Sequence, residues 1–168
     1  MFYWSVIFRN TFLSFDGFSI SMTSKIDPPA SEAVDIGERS VVLEMEHQEA
    51  IEYVREVCLK HGFGIAVEFS VSEILNEKIG ANRTPYYILG ACNPKVADRA
   101  LDISHKIGGL FPCNMVVCEL EPGVQQVYHV SIMKIARSLG MAPDNEDWQE
   151  IVDETGVMVS AVFRELEE

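Results

Sequence analysis

The four cysteines and four histidines of this 168-residue chain carry most of its chemical potential, and their neighbours narrow what they could do. Cys92 closes the apolar run Tyr86 to Ala91 (YYILGA) and directly precedes Asn93-Pro94. Asn93 suits a helix N-cap and Pro94 a first helical position, so a helix should begin beside the Cys92 sulfur. The free amides and positive dipole end of such a start favour a thiolate, and Lys95 in the first turn adds a cation. The same geometry suits a small anion, carboxylate or phosphate, held by Asn93 and the amides of Lys95 and Val96. The plain alternative is that Cys92 is a small buried hydrophobe filling a strand-to-helix corner.

Cys113, between Pro112 and Asn114, opens the next strand. In a right-handed parallel crossover the end of one strand and the start of the next lie at opposite edges of the sheet, which would keep the two thiols apart. If residues 106–112 (KIGGLFP) instead run back along the sheet, an antiparallel strand at 115–120 brings Cys113 towards Cys92. Seven extended residues span about 23 Å, enough for that return. Cys118 lies five residues beyond Cys113, an odd offset that puts the two on opposite faces of a regular strand.

Metal chemistry has little support, since the sequence holds no C-x-x-C, H-E-x-x-H or haem-attachment spacing. His129 and Met133 could face one another across a strand-to-helix junction, yet a lone histidine there is more often a hydrogen-bonded packing residue. His47, His61 and His105 fall at helix ends, where capping or solvation accounts for them. The glycines spell neither a dinucleotide fingerprint nor a Walker loop. Neither a metal nor a cofactor is expected.

The elements that must position these residues follow from periodicity. Val41, Leu43 and Met45 alternate with polar neighbours as a half-buried strand, and residues 47–62 place Ala50, Ile51, Val54, Val57 and Cys58 on one helical stripe. Phe63 to Ser70 alternates again, and Ser70 with Glu73 spells a capping box for a short helix ending at Gly80. After the strand at 86–91, the helix at 94–104 buries Val96, Ala97, Ala100 and Leu101, and Gly108-Gly109 breaks it. Residues 115–120 and 124–130 flank Glu121-Pro122-Gly123 as a hairpin. A short helix follows at 131–139, then a last one that Asp144 would cap and Gly156 would weaken. The order β-α-β-α-β-α-β-β-α-α predicts an α+β two-layer sandwich with a mixed or mostly antiparallel sheet over residues 39–168.

The strings YYILGACNP (86–94) and GLFPCNMVVCE (109–119), preceded by KHGFGIAVEFSVSEILNEKIG (60–80), resemble the bacterial and archaeal family known as domain of unknown function 302. The resemblance spans roughly residues 39–130. It implies a compact α+β domain that tends to pair as a homodimer, and it brings no catalytic residues. After Val130 the string SIMKIARSLGMAP departs from the family pattern, so a remodelled end is expected.

Composition excludes several partners. Thirteen Lys and Arg stand against 26 Asp and Glu, a net charge of −13, which is the wrong sign for nucleic acid or an anionic membrane. Much of the acidity lies in residues 141–168, with nine acids against Arg164 alone, far in sequence from the cysteine motifs. Residues 1–21 hold seven of the sixteen aromatics but lack the basic start and cleavage site of a signal peptide. Met22 opens a polar, Pro-containing stretch, so translation is expected to begin there, with residues up to 38 a poorly ordered leader. The chain reads as cytoplasmic.

Two functions remain open. One is a small-ligand, anion or thiol/redox module centred on Cys92 with Asn93 and Lys95, helped by Cys113 and Asn114. The other is a non-catalytic dimerising domain in which both cysteine motifs are packing turns.

Overall fold

The computed structural model describes residues 35–168. The expectations of a start at Met22 and of an aromatic first segment lie outside those residues. Of the expected leader, residues 35–38 are described and are tied to the domain: the Ile36 carbonyl accepts from the Ser131 amide at 2.8 Å, and Asp35 pairs with Lys134 at 2.6 Å.

Five strands and five helices alternate as β1 (Arg39–Glu44), α1 (His47–Lys60), β2 (Gly64–Ser70), α2 (Val71–Ile79), β3 (Tyr86–Cys92), α3 (Pro94–Ile103), β4 (Cys113–Glu121), β5 (Val124–His129), α4 (Ile132–Ser138) and α5 (Glu146–Leu166). The α+β order is the one periodicity predicts. All strand pairs are antiparallel, in the order β1-β5-β4-β3-β2, so the antiparallel return from β3 to β4 is the topology adopted.

Alternation then sorts the side chains. Leu43, Leu89, Met115, Val117 and Val127 point to one face and are buried against α1 and α5. Beside this cluster a second one, built on Trp148, Ile107, Ile132 and Ile151, joins α3, α4 and α5; the Trp148 indole donates to the Met133 carbonyl at 3.1 Å. The opposite face of the sheet carries Val42, Ile88, Phe69 and Tyr128.

Two local expectations differ from the fold. Asn145, not Asp144, caps α5, accepting from the Trp148 amide at 3.0 Å; Asp144 lies one residue too early and reaches towards Arg137 instead. Gly108-Gly109 does not end α3, which stops at Ile103; the pair sits further on in a 3-10 turn over His105–Leu110, in which Ile107 is buried. The short caps are as read: Ser70 accepts from the Glu73 amide, and Asn93 from those of Lys95 and Val96.

The return to β4 depends on Gly90. A Cβ there would lie 2.5 Å from Pro112 Cγ, 2.7 Å from Val67 Cγ1 and 3.0 Å from the Val67 carbonyl oxygen. Pro112 therefore packs directly on the β3 backbone and delivers Cys113 beside it. Gly90→Ala should destabilise the domain by about 1–3 kcal/mol through overpacking, read as a lowered urea midpoint with little change in slope.

Candidate functional site

The chemistry gathers where β3 ends and β4 begins. Register places Ala91 opposite Cys113 and Gly64 opposite Cys92, and one small apolar cavity is lined by both cysteines together with Phe63, Val96 and Pro112. Both thiols are free. Cys118 falls on the opposite face, as its odd offset from Cys113 requires, and its sulfur lies 3.8 Å from Gln126 Oε1. Cys58 is buried in α1, where burial pushes its thiol up to about 12.

The helix start beside Cys92 is already satisfied from within. Asn93 Oδ1 accepts from the Lys95 and Val96 amides at 3.1 Å each, the Asn93 carbonyl accepts from Ala97, and Pro94 has no N–H. None of these donors is left to prime the Cys92 sulfur or to hold an anion. Asn93 Nδ2 meanwhile donates to the Gly62 carbonyl at 2.9 Å, fastening the α1–β2 turn to the start of α3. Lys95 is exposed, and Asn114 contributes its backbone rather than its side chain.

Cys113 faces inward on the helix side, and burial of its thiol, with a smaller effect from Cys92, pushes its pKa up to about 12. It is a neutral thiol at physiological pH. It also lines a second chamber of about 50 Å³, whose walls include Phe63, His129, Met133 and Thr155. Phe63, Cys113, Met133 and Thr155 are common to both cavities, so Cys113 stands in the partition between them.

His129 is the residue that sequence reading undervalued. It is only 3% exposed, and its Nδ1 lies 3.0 Å from the Asn114 carbonyl oxygen. A carbonyl only accepts, so Nδ1 carries the proton and Nε2 presents a lone pair in the neutral ring. Nε2 has no partner among the described residues, and His129 is part of the lining of the chamber. Burial, aided by the positive charge of Arg39, holds the ring below its ordinary pKa of 6.5, and the bond to Asn114 opposes this only in part. Arg39 is the cross-strand partner of His129 on the same face. The signal available in the sequence was the pairing of His129 with Met133, four residues on, and the chamber receives both.

Of the helix-end histidines, His105 is exposed and the other two make structural ties. His47 Nδ1 lies 2.8 Å from Oε1 of the fully buried Gln125, whose Nε2 donates to the Met45 carbonyl. His61 and Lys60 hold Glu165 at 2.8 and 2.7 Å, and these two partners lower the Glu165 pKa. Among the described residues no cluster of three or more His, Cys, Asp or Glu is arranged to hold a metal ion. No described helix is long and apolar enough to cross a membrane.

Because the folded state holds His129 below the unfolded value of 6.5, the unfolded chain takes up its proton first on acidification. Stability contributed by the neutral ring is present above 6.5 and is lost as pH falls through the folded pKa. Thermal midpoints should therefore drop between about pH 7 and 5, and His129→Gln should flatten that slope whatever it does to the midpoint at pH 7. Alkylation should also rank the thiols: Cys58 and Cys113 should stay unmodified at neutral pH in the folded protein, and react on unfolding.

Comparisons with known proteins agree with the fold. No curated protein matches the chain. A crystal structure of an uncharacterized conserved DUF302 protein from Bacillus stearothermophilus is similar at 27% identity and a TM-score of 0.66, covering 77% of this chain and 97% of that one. The family model described as domain of unknown function DUF302 matches residues 39–166, so the match runs on through the segment after Val130 where the pattern seemed to end. With most of its length so matched, the chain belongs to the domain of unknown function 302 family.

Proposed function

We propose that this domain is a small-ligand-binding module whose site is the pair of cavities on either side of Cys113, with His129 as the polar group that orients the ligand. The reading keeps the cysteine pocket but moves its centre from Cys92 to Cys113. The observation that carries it is a buried, neutral His129 whose Nε2 has no partner among the described residues, in the lining of a chamber whose other walls are mostly apolar or sulfur-bearing, with Arg39, Ser131, Lys134 and Thr155 as the polar exceptions. A site of this kind, mostly apolar with a few placed polar groups, is the usual form of a small-molecule pocket. A neutral Cys113 thiol supports a packing or soft-contact role over a nucleophilic one.

Cys92 and Cys113 occupy adjacent strands one register step apart, so strand alternation turns their Cβ atoms to different faces. That orientation disfavours a disulfide and with it a redox pair. The test is titration of isotope-labelled protein with solutes of three or four heavy atoms, such as 1-propanol, while following the amides of Cys113, His129 and Met133. Saturable shifts at those amides are expected, and Cys113→Leu, which fills the partition, should abolish them. Shifts scattered over the surface and indifferent to that substitution would overturn the reading.

A second reading, homodimerisation, is favoured by the sheet face turned away from α1 and α5. Val42, Val67 and Phe69 are 54%, 46% and 39% exposed there, around the hydroxyl pair of Tyr86 and Tyr128. Sedimentation should show a dimer that Phe69→Glu dissociates; a wild-type monomer at high concentration would remove this reading.

A further inference from the structure

The His129 chamber has a larger neighbour. It shares Arg39, Lys134, Val152 and Gly156 with a wide groove of about 650 Å³ that is further lined by Arg137 and Arg164. Four of the chain's thirteen Lys and Arg thus meet at one groove of a protein whose net charge is −13. Two carboxylates share it, Asp35 and Asp153, so the groove itself remains net positive. Asp35 is paired with Lys134 and Arg137 lies 3.8 Å from Asp144, whereas Arg39 and Arg164 have no carboxylate partner among the described residues. Among the described residues Arg39 donates to the carbonyl of its neighbour Glu38 alone. A guanidinium with that single partner there, beside a mostly apolar chamber, is suited to an anion.

Gly156 marks the passage. It lies in the middle of α5, where glycine is the poorest ordinary helix former after proline, and a Cβ built on it would meet nothing within 4 Å. Helix packing therefore gives no reason for a glycine here. Its position does: it borders both the groove and the chamber, so the missing side chain keeps the two connected.

We infer that the site takes a short-chain carboxylate bearing a hydroxyl, its carboxylate held in the groove by Arg39 and its body passing Gly156 into the chamber, where the hydroxyl donates to His129 Nε2. This inference rests on the small-ligand reading above and names the ligand class. The chamber, about 50 Å³, sets the size: one water needs roughly 10–15 Å³ of such space, so only a few heavy atoms enter. The neutral ring with its proton fixed on Nδ1 sets the polarity, since Nε2 accepts and does not donate. Arg39 sets the charge, lying directly across the β1–β5 pair from His129.

The experiment compares lactate, propionate, 1-propanol and ethylammonium by the same amide titration at fixed ionic strength. Lactate should bind most tightly, propionate less so, propanol more weakly still, and ethylammonium not at all. Arg39→Gln should weaken lactate at least about tenfold while leaving propanol unchanged, as loss of a charge-assisted bond requires. Gly156→Leu should abolish lactate binding with no loss of thermal stability, which separates a blocked passage from a damaged fold. If propanol saturates the chamber but lactate and propionate bind no better, or if Arg39→Gln leaves lactate unaffected, the carboxylate assignment fails while the cavity reading stands. If no solute reaches the chamber, both fail.

Discussion

The close approach of Pro112 and Val67 to the bare α-carbon of Gly90 is the constraint on which the rest of the domain depends. It allows the chain leaving α3 to fold back against β3, so that β4 runs antiparallel and sets Cys113 opposite Ala91. From that register follow the alignment of Met115 with both Leu89 and His129, and of Val117 with Tyr87 and Val127. The buried face of the sheet is therefore continuous from β3 to β5, and His129 comes to rest at its polar end. A bulkier residue at position 90 would push the return segment away from the sheet and take the cysteine partition with it.

Around this frame the polar groups are kept in check by pairing them locally. Gln125 has no exposed surface, yet His47 and the Met45 carbonyl satisfy it, joining β5 to the start of α1. Thr155 places its hydroxyl on the Ile151 and Val152 carbonyls of its own helix. Such internal satisfaction keeps polar atoms in an apolar layer from costing stability. His129 is the departure: among the described residues, one ring nitrogen is bonded and the other is not. An incompletely satisfied group in an otherwise closed interior is where a ligand has something to add.

Much of the fold was legible because short-range signals and long-range packing agree. Strand alternation in Val41 to Met45, the Ser70–Glu73 box and the Asn93-Pro94 start each act within a few residues, and the folded chain uses all three. Asp144 misled because Asn145, one residue later, is an equally good cap and places Trp148 inward. The site was legible only in part. Cys92 and Cys113 stood out as residues, but their relation turned on strand direction, which periodicity does not encode. The amides offered to Cys92 were visible in the sequence, and so was the Asn93 side chain that takes them. Arg39 and His129 lie 90 positions apart in the chain and become neighbours only through the β1–β5 register, so no local pattern linked them. Likewise the acidic total charge concealed a basic groove assembled from β1, α4 and α5.

The pairing of β1 with β5 has a kinetic side as well. Edge strand β1 and interior strand β5 are the most widely separated in sequence of all the strand pairs, with Arg39–Glu44 meeting Val124–His129. Closing so long a loop is entropically slow, so this ladder is expected to form late, after the β4–β5 hairpin and the β2–β3 pair that α2 connects. Arg39 reaches His129 only when that ladder zips. A nascent or partly folded chain therefore carries its cysteines and its histidine without the arginine beside them, and the chamber lacks its cationic wall until the first strand has found the last.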